Sequence, residues 1–284
     1  MKTEMKKHSV ILLVILLAAS SFFFSCNDTV NQHTGDFTFD SLQVNQTAHL
    51  FGDTAKPACN ININFTYITK SSDEQMKDSV NKYFLSMCFG DKYMTIAPEN
   101  VPDKYAETYI ENYRKDLEPM YKQESVEDSA NIGAWYSYYK GLEGHVQLYN
   151  GNLLVYRIDY NEYTGGAHGV YMTSYLNLRL DTLTPIRLDD LFVPNYKDAL
   201  TDLLWNQLMA DNQVTTHEEL ENMGYTSTGE LTPTENFFLD SDGITFHYNI
   251  YDIAPYVMGA IQIKLPYDAV RHLLNENTII SQIN

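Results

Sequence analysis

The strictest constraint on this chain is a run of nine residues, Cys59-Asn60-Ile61-Asn62-Ile63-Asn64-Phe65-Thr66-Tyr67, in which apolar and polar side chains alternate without a break. Strand side chains point to opposite faces with period two, so this run makes a strand with one buried face and one wet face. Wound as a helix, it would scatter Ile61, Ile63 and Phe65 around the circumference. The fold must therefore supply a sheet and something apolar to cover one side of it.

The cover follows directly. Ser72 with Gln75 three residues later is a capping-box signature, and Met76, Val80, Tyr83, Phe84 and Met87 recur at helical spacing until Gly90. A second helix is predicted from near Pro102, with Tyr105, Tyr109, Tyr113 and Leu117 on one stripe, ending before Pro119. Strands are then predicted at Trp135–Tyr139, at His145–Tyr149 and, across an Asn150-Gly151 turn, at Leu153–Tyr160, followed by Tyr171–Leu180. A helix over Ala199–Met209, a short acidic one over Thr215–Asn222, a hairpin around Asp242-Gly243, a strand at Gly259–Leu265 and a terminal helix at Tyr267–Leu274 complete the pattern. Phe37–Leu50 reads as a first strand. The class is α+β: two small modules, with mainly antiparallel sheets each packed with helices.

The amino terminus gives an address. Three lysines in Met1–Lys7 precede an apolar run from Val10 that ends at Ser25-Cys26. A basic start, an apolar stretch of about 15 residues and a small residue before Cys form a lipoprotein signal, short of the ~20 residues of a spanning helix. The expectation is a leader over 1–25, lipidation and membrane anchoring at Cys26, and a polar tether over 26–56 that includes the first strand. Export leaves Cys59 and Cys88 in a compartment where disulfides persist, so the two either bridge or stay buried thiols. Processing also changes the charge. The whole chain carries −18; without Lys2, Lys6, Lys7 and Glu4 it keeps 16 basic and 36 acidic residues, or −20. Such a surface repels nucleic acid and favours cationic partners.

Four strings add a resemblance. They are Tyr163-Thr164-Gly165-Gly166-Ala167-His168-Gly169; Ile186-Arg187-Leu188-Asp189-Asp190-Leu191-Phe192; Asn236-Phe237-Phe238-Leu239 with Asp242-Gly243-Ile244-Thr245-Phe246; and Ile253-Ala254-Pro255-Tyr256-Val257-Met258-Gly259. In order and spacing they resemble the extracytoplasmic module of RsiV-type anti-sigma factors, here 165–284. Residues 57–164 are similar to its N-terminal companion, also found beside the catalytic domain of PdaC-type polysaccharide deacetylases. Only nine residues precede the apolar run, so a sigma-binding role is not carried over, and neither is deacetylation, which depends on a separate domain. The resemblance implies the binding surface of these modules, which in the RsiV type takes lysozyme.

Residues with chemistry are few. Three glycines around His168 suit a backbone that takes positive φ and approaches a neighbour closely. Either Tyr163, Gly165, Gly166 and His168 line a binding crevice, or the glycines make a tight crossover and His168 satisfies buried carbonyls; Tyr256, after Pro255, either joins that crevice or packs a corner. No H-E-x-x-H or G-x-S-x-G occurs, and Ser137-Tyr138-Tyr139-Lys140 fits S-x-x-K without a K-T-G partner. Asp189-Asp190 and Glu218-Glu219-Glu221 read as helix-end charges rather than a calcium loop. No catalytic residue, metal or cofactor is assigned. Asp-Ser/Thr-aliphatic strings place Thr29, Ser41, Thr54, Ser79, Ser129 and Thr182 in a pattern that resembles the O-glycosylation signal of exported Bacteroidetes-type proteins, and turn or cap chemistry explains the same strings.

The leading expectation is a non-catalytic cell-envelope lipoprotein that binds a protein (cationic, lysozyme-like) or a cell-wall glycan such as peptidoglycan. The alternatives are an enzyme acting on envelope polysaccharide through carboxylates without a motif, and a structural accessory of an envelope complex.

Overall fold

The computed structural model describes residues 36–124, 132–276 and 278–283. The leader, Cys26, Thr29 and Ser129 lie outside these residues. The alternating run is β2 (Ala58–Lys70), paired antiparallel with β1 (Thr38–His49). Ile61, Ile63 and Phe65 are buried while Asn60 and Asn62 are exposed, as period two requires.

Helix α1 (Glu74–Phe89) covers the apolar side of β2. Its cap is Asp73, not Ser72: the Met76 amide donates to Oδ1 of Asp73 at 2.9 Å, while the Ser72 amide and hydroxyl both donate to Asp36. Asp and Ser cap about equally well, and Asp36 takes Ser72 out of the contest. Buried Asn81 fastens the helix to β2, accepting from the Ile68 amide and donating to the Ile68 carbonyl at 2.9 and 2.8 Å. Helix α2 (Val101–Glu124) continues through Pro119. Pro119 is exposed, and the Lys115 carbonyl it leaves without a donor belongs to an exposed residue that water can serve.

Trp135 ends a short helix α3 (Ile132–Trp135) instead of opening a strand; the expected strands at 135–139 and 145–149 are one, β3 (Tyr138–Tyr149). Gly141 and Gly144 interrupt the alternation and hide this continuity. Gly144 has no room for a side chain: a Cβ there would overlap the Tyr156 hydroxyl and lie 2.8 Å from Cys88 Sγ. Strands β4 (Leu153–Tyr163), β5 (Val170–Arg179) and β6 (Thr184–Pro185) complete a sheet in the order β1-β2-β3-β4-β5-β6, with only β2 and β3 parallel.

The two faces of this sheet have different covers. On one, Leu142, Leu154, Tyr156, Leu176 and Leu178 pack under α1 and α2, with Tyr156 stacked on Phe84 at 3.9 Å. On the other, Leu153, Val155 and Tyr175 pack against a second core. That core holds α5 (Lys197–Asp211) and the antiparallel sheet of β7 (Phe237–Leu239), β8 (Gly243–Tyr248) and β9 (Ile261–Pro266). Around it lie the short helices α4 (Leu188–Leu191), α6 (His217–Met223) and α7 (Tyr267–Val270). Asn177 ties the two sheets, donating to the Phe237 carbonyl at 2.7 Å and accepting from the Leu239 amide at 3.0 Å. The architecture is α+β. The line between residues 164 and 165 falls in the β4–β5 connection, inside one sheet and one compact unit that includes all the described residues.

Cys59 and Cys88 are not bridged; both are free and buried. Cys59 lies beside Tyr138 on β3, and Cys88 lies over Gly144 on the same strand. Six residues of strand separate these points, about 20 Å, far beyond the reach of a disulfide. Burial pushes both thiols up to about 12, so neither is a reactive thiolate.

Candidate binding site

The connection between β4 and β5 builds the site. Gly165 and Gly166 take φ of +88° and +105°, which side chains rarely adopt. Gly165 also lies against the Trp135 backbone, where a Cβ would come within 2.8 Å of the Trp135 carbonyl. Tyr163 closes the loop, its hydroxyl donating to the Gly166 carbonyl at 2.9 Å. This is the tight crossover, and it presents His168 outward rather than burying it.

A second loop, residues 249–260, meets the first. Asn249 docks it on β5: Oδ1 accepts from the Thr173 amide at 2.7 Å and Nδ2 donates to the Thr173 carbonyl at 3.1 Å. The His168 ring stacks on Tyr256 with centroids 4.4 Å apart and planes 27° apart. His168 Nδ1 faces the Gly169 carbonyl at 3.3 Å; donating there, it leaves Nε2 of the neutral ring to accept from the Tyr251 hydroxyl, also at 3.3 Å. Tyr251 itself takes φ +69°, a left-handed conformation uncommon outside glycine. The five residues singled out in the sequence, Tyr163, Gly165, Gly166, His168 and Tyr256, thus belong to one loop cluster.

The cluster sits among exposed apolar side chains. Val257 is 89% exposed and Trp135 63%, and Val170, Tyr171, Met172 and Tyr251 are exposed too. A cleft of about 360 Å³ lies beside them, lined by Asn161, Tyr171, Thr173, Asn249 and Tyr256 among others. A larger cleft, about 780 Å³, lies elsewhere, between α1 and residues 94–99, where no such side chains converge. Tyr251 and Trp135 escaped sequence reading. The left-handed backbone at Tyr251 has no compositional mark, and Trp135 was assigned to a strand.

Several of the remaining titratable groups are engaged within the fold. Lys140 is buried on the helix-covered face, its ammonium 3.3 Å from Glu162 Oε1 and 3.7 Å from the centre of the Tyr160 ring. Tyr109 and Tyr160 both donate to Glu162. Burial raises the Glu162 carboxyl, but those hydrogen bonds and the Lys140 charge outweigh it and hold the group below its ordinary value. Burial lowers the Lys140 ammonium, against the pull of Glu162. Ser137 donates to the Gly133 carbonyl at 2.7 Å while Lys140 faces Glu162, so the two ends of the S-x-x-K string have different partners. Thr216 caps α6 and Glu219 accepts from the Thr216 amide at 3.0 Å, Asp190 accepts from the Arg187 amide at 2.8 Å, and His217 stacks on Trp205. Among the described residues no group of three or more His, Cys, Asp or Glu is placed to hold a metal ion, and no helix is long and apolar enough to cross a membrane. Of the Asp-Ser/Thr strings, Thr54 and Thr182 are exposed outside regular elements, whereas Ser41 lies within β1 and Ser79 within α1, donating to the Gln75 carbonyl.

Comparison with known proteins places this geometry in a family. The family model described as "Protein of unknown function (DUF3298)" matches residues 189–268, and the model "Deacetylase PdaC" matches 53–171, in the order and pairing that the sequence motifs implied. No curated protein matches the chain. The crystal structure of a DUF3298 family protein from Pseudomonas aeruginosa superposes at a TM-score of 0.60 over 84% of this chain and 95% of that one; at 15% identity it shows the shared fold alone. The crystal structure of a DUF3298 family member from Bacteroides fragilis is 62% identical, covers 89% of this chain and 99% of its own, and superposes at a TM-score of 0.86. By that identity and coverage, this chain belongs to the DUF3298 family.

Proposed function

We propose that this protein is a non-catalytic, exported envelope lipoprotein that binds a cationic, lysozyme-like protein through the loop cluster at residues 163–172 and 249–260. One observation carries the reading: Trp135, Tyr171, Tyr251 and Val257 are exposed around the rigid His168–Tyr256 stack. Exposed aromatic side chains held by strained, well-bonded loops lose little entropy on binding, which is how hot spots are built. The charge of −20 on the processed chain supports a basic partner, since it would steer one to the surface and speed association at low salt. The motif resemblance to lysozyme-binding modules points the same way. Many of the carboxylates that invite an enzymatic reading cap helices or pair with buried groups, which supports binding over turnover.

The test is surface plasmon resonance of the purified chain over immobilised lysozyme at low and moderate salt. Saturable binding is expected, with an association rate that falls as salt rises, and Tyr251→Ala is expected to weaken it at least about 10-fold, or about 1.4 kcal/mol. Equal, salt-independent responses from wild type and Tyr251→Ala would reject the site and the partner class together.

A further inference from the structure

Beyond the second core, the same face of the six-stranded sheet carries a second feature, which adjoins the loop cluster at Tyr171 and Tyr256. Because Ile61, Ile63 and Phe65 point under the helices, their neighbours form rows on the other side. One row runs Asn45, Asn62, Gly141, Asn161, Tyr171 across five strands; the next runs Gln43, Asn64, Glu143, Asp159, Thr173. At the margins of this face cross-strand pairs satisfy one another, as in Ser41 with Thr66 and Thr47 with Asn60, each at 2.8 Å. In the middle, Asp159 accepts from Thr173 and from Arg157, each at 2.7 Å, but two amides are left over: Oδ1 of Asn64 and Oδ1 of Asn161 are buried and have no hydrogen-bond partner. Gly141 makes the floor between them, and a Cβ there would overlap the Asn161 amide. The depression over this floor, about 300 Å³, shares Asp159 and Asn161 with the 360 Å³ cleft beside the loops, so the two adjoin at β4 and together make a groove-like path across the strands.

We propose that this groove binds an uncharged glycan strand bearing hydroxyl and acetamide groups, laid across β1 to β5. Carboxamides donate and accept in one plane, which suits vicinal hydroxyls and acetamides. Amide torsions are broad, so Asn64 and Asn161 turn to meet a ligand at little cost. An apolar segment would bury these amides unpaired, and a polyanion would meet the Glu143 carboxylate, Asp159 being paired with Arg157. Tyr139 on one side and Tyr171 and Tyr256 on the other offer ring faces on which a sugar stacks. Strands about 4.8 Å apart make each row about 20 Å long, room for about four pyranose rings.

The proposal goes beyond the protein-binding reading, and the experiment separates the two. Calorimetric titration of the purified full chain with the tetramer of N-acetylglucosamine should give saturable binding, and a tetragalacturonate of the same length should give none. Asn62→Ala/Asn64→Ala should weaken tetramer binding at least 10-fold while keeping the wild-type melting temperature and lysozyme response; Tyr251→Ala should keep tetramer binding. The proposal is overturned by the absence of saturable tetramer binding, by a preference for the polyuronate, or by unchanged affinity in the double asparagine variant.

Discussion

The two faces of the large sheet come from the same strands and treat polar groups in opposite ways. Under the helices, the buried Lys140 ammonium is bonded to Glu162 and set against the Tyr160 ring, and Glu162 is bonded to two tyrosines. On the open face two asparagine oxygens lack partners within the chain. An unpaired polar group is costly where no water or ligand reaches it, so the covered face tolerates polarity only in closed networks. The other face carries the second core at one end and, beyond it, two amide oxygens that are buried without a partner, a cost that a ligand's donors would relieve. Strand alternation creates both faces, but only the covered one closes all of these networks within the chain.

Four predictions set these faces against each other, the largest first. Phe84→Ala removes the ring stacked on Tyr156 beneath the sheet, and urea denaturation should show a loss of about 3–5 kcal/mol. Glu162→Gln leaves Lys140 buried without its counter-charge; a loss of about 3 kcal/mol is expected, and Lys140→Met in the same chain should restore much of it. Because the Glu162 carboxyl is held below its ordinary value of 4.5, its share of stability is present above that pH and lost as pH falls through its folded-state value. The Glu162→Gln chain should therefore show a flatter decline of stability in acid than wild type. Gly165→Ala forces a side chain into a left-handed backbone against the Trp135 carbonyl and should cost about 1–3 kcal/mol, seen as a lower thermal midpoint. Asn64→Ala, on the open face, should change stability by less than about 0.5 kcal/mol. A large loss there would mean that the face is structural after all.

Much of the fold was legible because period two and turn chemistry are local. Residues 59–67 and the Asn150-Gly151 hairpin each specify their own strand. The departures came from long-range partners. Asp36 took Ser72, 36 residues away, and left the cap to Asp73. Gly141 and Gly144 looked like breaks in a strand because their neighbours, Asn161, Tyr156 and Cys88, come from elsewhere in the chain. The site divides in the same way. The glycines around His168 announce a constrained loop, but Tyr251 reaches that histidine across 83 residues, and nothing local marks the meeting. Lys140 reads as an error on an apolar face until the β3–β4 register sets it opposite Glu162.

The central claim is that the loop cluster, and not the charge alone, holds the partner. Its most direct measurement is the dissociation rate from lysozyme for wild type, Tyr251→Ala and a variant that neutralises acidic residues on α2, outside the two loops, Asp103→Asn/Glu107→Gln/Glu111→Gln. The account predicts a faster dissociation only for Tyr251→Ala, and a slower, less salt-sensitive association only for the neutralised chain. Dissociation unchanged by Tyr251→Ala but accelerated by neutralising α2 would contradict it.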